Sequence, residues 1–252
     1  MLRISIITPT FNSAATLANT LRSVAVQSLP AYEHLVIDGG STDQTLEVAA
    51  GFSHVTEIVS EPDEGLYDAM NKGVRRACGD VIGILNSDDF YRHERVLQHV
   101  AALMQSSGAD ALYADLEYVD PIHAEKVVRY WRSGAFDLGN FDCGWMPPHP
   151  TFFVRREIYE RYGVYDTRLR LSADYELMLR FLLRRRISVC YLPEVIVRMR
   201  AGGLSNASLA GRWRANREDR QAWKMNGLRP RFYTLFLKPV SKLGQFWFRS
   251  SV

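Results

Sequence analysis

A chain of 252 residues with 47% hydrophobic and 23% charged residues can bury one substantial core, which excludes disordered and fibrous classes and fits a single α/β domain. No run approaches the roughly 18 apolar residues that a bilayer crossing needs, and the apolar start Ile4-Ser5-Ile6-Ile7 meets Pro9 too soon for a signal-peptide core, so a cytoplasmic location is expected. The net charge of +3 is unevenly spread: residues 212–252 hold ten Lys or Arg against two acids, a charge of +8, which leaves −5 on residues 1–211.

The spacing predicts strands over 4–8, 34–38, 55–60 and 81–86, alternating with helices over 13–28, 42–51 and 67–77. Leu17, Leu21, Val24 and Ser28 trace one face of the first helix, and Ser41 with Gln44 reads as a capping box for the second. Such alternation is the pattern of βαβ units, whose right-handed crossovers place helices on both faces of a parallel sheet. Past residue 108 the pattern loosens into strands over 110–119 and 126–132, a Gly/Pro-rich stretch from Gly134 to Pro150, and a helix over 174–185. Cys78, Cys143 and Cys190 are odd in number, far apart and without metal-ligand spacing, which predicts free buried thiols in a reducing compartment.

The acids fall at the strand ends. Thr8-Pro9-Thr10 closes the first strand, Asp38-Gly39-Gly40-Ser41-Thr42-Asp43 the second, Glu61-Pro62-Asp63-Glu64-Gly65 the third and Asn86-Ser87-Asp88-Asp89 the fourth. In an open parallel sheet these ends share one edge, where ligands bind. Crowded carboxylates repel one another and resist burial, so the cluster implies a cation or a donor-rich ligand. A nucleotide diphosphate with a divalent metal supplies both, and hard oxygen ligands suit Mg²⁺ or Mn²⁺. Asp88-Asp89 is the sharpest signal, since two adjacent acids after an apolar strand seldom help folding; Asp-Gly-Gly-Ser alone is more often a turn with a helix cap. No G-x-G-x-x-G follows the first strand and no Walker lysine loop exists, which removes the main signals for hydride transfer and ATP hydrolysis.

In order, Thr8-Pro9-Thr10-Phe11-Asn12, the Asp38–Asp43 segment, Glu61-Pro62-Asp63 leading to Gly65-Leu66-Tyr67-Asp68-Ala69-Met70-Asn71-Lys72-Gly73, and Leu85-Asn86-Ser87-Asp88-Asp89 resemble the family 2 glycosyltransferases of the GT-A fold. They resemble in particular the bacterial branch acting on exopolysaccharide, lipopolysaccharide or glycolipid precursors, and the likeness spans about residues 3–205. It implies a Rossmann-like three-layer α/β/α fold with a mostly parallel central sheet. It also implies that Thr8 and Pro9 border the nucleobase, that Asp38 accepts from its imino N–H, that Asp88 contacts the ribose or assists the metal, and that Asp89 binds Mn²⁺ or Mg²⁺. The motif reads Ser87-Asp88-Asp89 where the family carries an Asp-x-Asp type. Asp63 and Lys72 lie in matching segments of the nucleotide-sugar side, Lys72 either neutralising phosphate or standing solvated on its helix.

Asp174 in Ser172-Ala173-Asp174-Tyr175-Glu176 opens a helix, where a carboxylate is stabilised in its charged form. It matches the Asp of the family's Glu-Asp motif, the catalytic base, with Ala173 in place of the first acid; Glu176 is the second choice. His149, in Pro147-Pro148-His149-Pro150, occupies the acceptor side. Gly202-Gly203-Leu204-Ser205 matches a loop over the donor, and Arg198 and Arg200 before it either meet the diphosphate or remain surface charges.

The implied organisation is a catalytic domain over 1–205, with a nucleotide-sugar half (1–120) and an acceptor half (121–205), and a basic aromatic helical tail over 206–252. The implied reaction is inverting transfer from a UDP- or GDP-linked sugar to a hydroxyl of a saccharide or lipid-linked acceptor, with no nucleic-acid partner. Trp213, Trp223, Phe232, Tyr233, Phe236, Phe246, Trp247 and Phe248 interleave with the basic residues. That mixture suits either peripheral contact with the inner face of the plasma membrane through 212–249 or a helical pair packing its aromatics on the body. Two other readings compete: a sugar-nucleotide nucleotidyltransferase, whose glycine- and arginine-rich loop Thr8–Asn12 lacks, and a non-catalytic carbohydrate- or partner-binding module.

Overall fold

In the computed structural model, which describes residues 2–202 and 209–234 and the side chains of all of these but 209–212, every residue of β1 (Ile4–Thr10) is buried. Burial on both faces marks the centre of a sheet covered from either side. β1 pairs in parallel with β2 (Glu33–Asp38) and with β4 (Val81–Ile84), and β3 (Glu57–Ser60) extends β2, so β3-β2-β1-β4 is wholly parallel. On one face, α1 (Ala14–Ala25) and α2 (Thr45–Ala50) enclose Leu17, Leu21, Val36 and Ala49. On the other, α3 (Leu66–Arg76) lies over Ile7 and Ile37, so adjacent positions of β2 serve opposite layers. A Cβ on Gly73 would collide with Ile7 Cγ2; glycine lets α3 approach β1 this closely.

Beyond β4 the sheet is mixed. β8 (Phe153–Arg155) runs antiparallel to β4 and to β6 (Ala111–Val119), β9 (Val189–Arg200) parallel to β6, and β5 (Phe90–Tyr91) antiparallel to β9, while β7 (Val127–Trp131) pairs with the remaining edge of part of β6. The order is β3-β2-β1-β4-β8-β6-β9-β5. α4 (Val96–Ser107) and α5 (Arg156–Tyr162) escape the sequence expectation, although Leu97, Val100, Ala101 and Met104 are buried at helical spacing.

Several local expectations are corrected. α1 stops at Ala25, and Gln27 uses its amide on the β5–α4 turn, donating to His93 O at 2.8 Å and accepting from Leu97 N at 3.0 Å. The Ser41/Gln44 box does not form: Asp43 accepts from Thr45 N at 3.0 Å, and the Ser41 hydroxyl turns back to Asp38. The helix expected over 174–185 is α6 (Ala173–Met178) continuing as a wider π-type turn over Leu179–Arg184. All three thiols are free, but Cys78, just after α3, and Cys143, at the end of a short 3-10 helix (Leu138–Cys143), are exposed, and only Cys190 is partly buried.

α7 (Leu209–Met225) lies against α6. The buried Trp223 indole donates to Tyr175 Oη at 2.9 Å, and Glu218 Oε2 accepts from Leu171 N at 2.7 Å and Ser172 N at 3.1 Å. Trp213 and Phe232 remain 73% and 89% exposed.

Candidate active site

Parallel pairing sets Thr10 beside Asp38 and Asp38 beside Ser60 at the sheet's C-terminal edge. The loop after β1 joins the neighbouring loops to this edge. Asn12 N donates to Ser41 Oγ at 2.7 Å, Asn12 Oδ1 accepts from Thr42 N at 2.9 Å, and Ser87 Oγ donates to Ser13 Oγ at 2.9 Å. Asn12 makes both its contacts at φ 48°, a conformation that asparagine tolerates better than most residues. The acid-bearing loops thus form one rim.

Asp38 is fully buried within it. Its Oδ2 accepts from Gly40 N (3.1 Å), Ser41 N (3.0 Å) and Ser60 Oγ (2.7 Å), and its Oδ1 from the Ser41 hydroxyl. Asp63 accepts from Gly65 N at 2.8 Å and lies so close over Gly39 that a Cβ there would strike its Oδ2. Lys72 is neither solvated nor free for phosphate: Nζ donates to Pro62 O at 2.8 Å and pairs with Glu61 at 3.1 Å and Asp68 at 3.4 Å, clamping the β3–α3 loop. Thr8 and Pro9 are buried at the base of the rim. Thr8 Oγ1 lies 2.9 Å from His34 Nε2, and His34 Nδ1 lies 3.0 Å from His54 Nε2.

The loop after β4 holds the uncompensated charge. Thr20 Oγ1 donates to Asp89 O at 2.7 Å, fixing the loop to α1, and Asn86 Nδ2 donates to Asp89 Oδ2 at 3.2 Å. Asp89 is fully buried, and its Oδ1, like Asn86 Oδ1 and Thr10 Oγ1, makes no hydrogen bond among the described residues. Burial first, and the neighbouring Asp88 second, raise the Asp89 carboxyl well above the usual carboxylate range. Burial raises Asp88 too, against the pull of His149 and Arg200. Buried acceptors without donors beside raised carboxyls fit a bound cation, which would reverse both shifts. Arg200 ends β9 beside them, 9% exposed, with Nη1 donating to Pro121 O at 3.0 Å and Nε making no hydrogen bond among the described residues. Arg198 instead pairs with Glu117 at 3.2 Å.

Asp174, in the first turn of α6, faces this loop across two side chains. Tyr67 Oη donates to Asp174 Oδ1 at 3.0 Å, and His149 Nδ1 stands 3.6 Å from Oδ2, an approach rather than a hydrogen bond. His149 Nε2 is 3.2 Å from Asn86 Nδ2. An amide donating there leaves the imidazole proton on Nδ1, toward Asp174. Burial lowers the His149 pKa and so favours that neutral ring, while burial and the Asp174 charge raise Tyr67 well above the ordinary phenol, keeping it a donor. Hydrogen bonds therefore link Asp89 through Asn86 to His149, whose Nδ1 approaches Asp174 at 3.6 Å.

Glu176 is removed as the alternative base. It is buried, takes Arg180 Nε at 3.1 Å and Nη2 at 2.8 Å, and accepts from Asn226 at 3.1 Å. Ser205 lies outside the described residues. The sequence reading missed Tyr67 and Asn71, whose amide exchanges two 2.9 Å hydrogen bonds with the backbone of Tyr165, the residue stacked on Tyr67. The signal was present: Tyr67 and Asn71 are polar residues one turn apart on the buried side of an amphipathic helix.

Residues 5–163 match the family described as Glycosyl transferase family 2. A PGL/p-HBAD biosynthesis glycosyltransferase of Mycobacterium tuberculosis is 35% identical over 207 residues, covering 80% of this chain and 78% of that protein. Among solved structures, Staphylococcus aureus TarS 1-349 in complex with UDP-GlcNAc superposes with a TM-score of 0.69 at 17% identity over 89% of this chain and 65% of that one. The chain spans 39% of a longer TarS structure. The mannosyltransferase PcManGT of Pyrobaculum calidifontis, in complex with GDP-Man and Mn²⁺, gives 0.66 at 18% identity, covering 94% and 68%. These structural likenesses show the GT-A fold.

Proposed function

The chain belongs to the family 2 glycosyltransferases, and from that premise we propose that it transfers a sugar, with inversion, from a UDP- or GDP-linked donor to a hydroxyl of a cell-surface polysaccharide or glycolipid precursor. The observation that carries this is the path from Asp89 through Asn86 and His149 to Asp174, which puts an anchored carboxylate within reach of the acidic rim. The donor's base lies over Thr8, Pro9 and Asp38, whose Oδ1 meets the imino N–H as the Ser41 hydroxyl turns away. Asp63, held on Gly39, shapes that wall, and Lys72 fixes the loop that carries Asp63. Asp88 and Asp89 hold a divalent ion, Mn²⁺ or Mg²⁺, which when bound supplies charge stabilisation to the departing diphosphate.

Asp174 accepts the proton of the attacking hydroxyl as the new glycosidic bond forms on the face opposite the leaving group. Tyr67 holds one of its oxygens by a hydrogen bond, His149 stands 3.6 Å from the other, and Arg200 adds positive charge beside the diphosphate. The glycolipid-type acceptor is supported by the mycobacterial relative named for PGL/p-HBAD biosynthesis.

The test is Asp174→Asn assayed with a panel of UDP- and GDP-sugars. Turnover should fall by about 10² to 10⁴, the usual contribution of a general base, with donor affinity unchanged. Normal turnover in the variant would overturn the assignment; donor binding without hydrolysis or transfer by the wild type would instead favour a binding module.

Peripheral membrane contact is a second part of the proposal, resting on the exposed Trp213 and Phe232 within the basic segment. Among the described residues no helix is long and apolar enough to cross a membrane. Sedimentation with anionic liposomes should retain the wild type and lose a Trp213→Ala/Phe232→Ala variant; equal sedimentation would reject these two residues as the contact.

A further inference from the structure

Away from the rim, three side chains on three elements converge. His93 stands in the turn between β5 and α4, His99 in the first turns of α4 and Glu194 on β9, with one ligand atom of each within 4.8 Å of the other two. His99 Nδ1 lies 2.7 Å from Glu194 Oε2, and His93 Nε2 lies 2.8 Å from Glu194 Oε1. Despite that distance, His93 Nε2 is buried and makes no aligned hydrogen bond. All three residues are partly exposed and line one open surface pocket with Glu94 and Arg95.

The backbone is built to hold them there. Gln27 bonds both His93 O and Leu97 N, and Ser28 N donates to Glu94 O at 2.7 Å, so the turn carrying His93 is fixed to the end of α1. On β9, Leu192 faces Ala114 whereas Val195 faces Asp115, so Pro193 and Glu194 are extra residues in the ladder. Bulges of this kind re-aim a side chain, and here Glu194 is the one that meets α4.

We propose that His93, His99 and Glu194 form a second metal site, for a borderline ion of the Zn²⁺ class, separate from any ion held by Asp88 and Asp89. Two imidazoles and a carboxylate suit Zn²⁺, whereas adjacent aspartates offer only hard oxygens. Bonds of about 2.1 Å in a tetrahedron set ligand atoms about 3.4 Å apart; one ligand atom from each residue lies within 4.8 Å of the other two, so opening the short contacts and closing the longest one takes shifts of about 1.5 Å at most. Ligation through His93 Nε2 places that ring's proton on Nδ1, which accepts from Arg95 N at 3.1 Å in the metal-free protein; two N–H groups cannot share that contact, so the ring turns away from Arg95 N and water takes over as the acceptor of that exposed N–H. The fourth position faces the pocket and takes water.

The ion joins the turn after β5, helix α4 and strand β9. β5 directly follows Asp88-Asp89 and pairs with β9, whose last residue is Arg200. The site is therefore a structural staple behind the rim, and it stands whether or not the glycosyl-transfer assignment above is correct.

The full-length chain, freed of metal by chelator and dialysed, is titrated with Zn²⁺ alone, and with Co²⁺ alone as a visible-absorption probe. Asp88→Asn/Asp89→Asn should bind one Zn²⁺, and wild type at least one, each with a rise in melting temperature, and both should give the intense Co²⁺ band of a four-coordinate nitrogen-ligated site. His99→Gln and Glu194→Gln should bind Zn²⁺ at least about tenfold more weakly, the loss that even an outer-shell change can cause, with circular dichroism reporting their folding. The proposal is overturned by wild type that takes up no Zn²⁺, by a weak octahedral Co²⁺ spectrum, by uptake that vanishes in the aspartate variant, or by folded Glu194→Gln binding as wild type.

Discussion

The hydroxyl of Tyr67 donates to Asp174 Oδ1 at 3.0 Å across 107 positions of sequence, joining a helix of the parallel half to the first turn of α6. Tyr67 acts here as a positioning residue. Tyr67→Phe should lower kcat by about 10 to 100-fold, the range of one hydrogen bond to a charged group, and leave the KM for donor near its wild-type value. A rise in KM with unchanged kcat would mean that the hydroxyl serves binding instead.

Asp89 is a buried carboxyl whose proton affinity the fold raises, through burial first and Asp88 second. Below the unfolded value of about 3.9 it is neutral in both states. Above it only the unfolded chain readily ionises, so the metal-free protein loses stability as pH rises toward the folded value. Asp89→Asn should therefore melt higher than wild type in chelator at pH 7, by about 2–4 °C for each kcal/mol relieved, and the gap should shrink toward pH 4. It should also lose metal-dependent nucleotide binding. A variant that melts lower at pH 7 would show that the fold itself needs this charge.

His34 behaves in the opposite sense. Burial, with His54 adding to it, pushes its pKa down to about 3. Between the unfolded value of about 6.5 and that point only the unfolded chain takes the proton, so stability is lost as pH falls, by at most about 1.4 kcal/mol per pH unit for this one group. Urea unfolding from pH 7 to pH 4 should show a shallower decline for His34→Gln than for wild type. Parallel declines would mean that other groups dominate acid unfolding.

The described part of the basic tail contributes to the core. Trp223 is 3% exposed and its indole is bonded to Tyr175. Trp223→Ala should destabilise by about 3–5 kcal/mol, measurable by urea midpoint, and a chain ending at Ala210 should lose at least as much. Wild-type stability in the truncated chain would show that α7 only rests on the body.

The parallel half and its acidic rim were legible because they are written locally. β-branched runs, amphipathic helices and acids at strand ends carry their meaning within a few residues, and parallel pairing leaves little choice about which edge those ends share. The mixed half was less legible: α5 is short, and β9 owes its course to pairing with β6 and to a bulge at Pro193-Glu194. The fate of individual charges was not local at all. Lys72, Glu176 and Asp174 all sit on helices, yet Lys72 is captured by Glu61 and Asp68, Glu176 by Arg180 and Asn226, and Asp174 alone is held toward the acidic loop. Sequence determined which residues could carry charge and where the chain would turn. Which charges stay available for chemistry was decided by tertiary packing, because a side chain's free lone pairs depend on donors that only the folded chain brings within 3 Å or so.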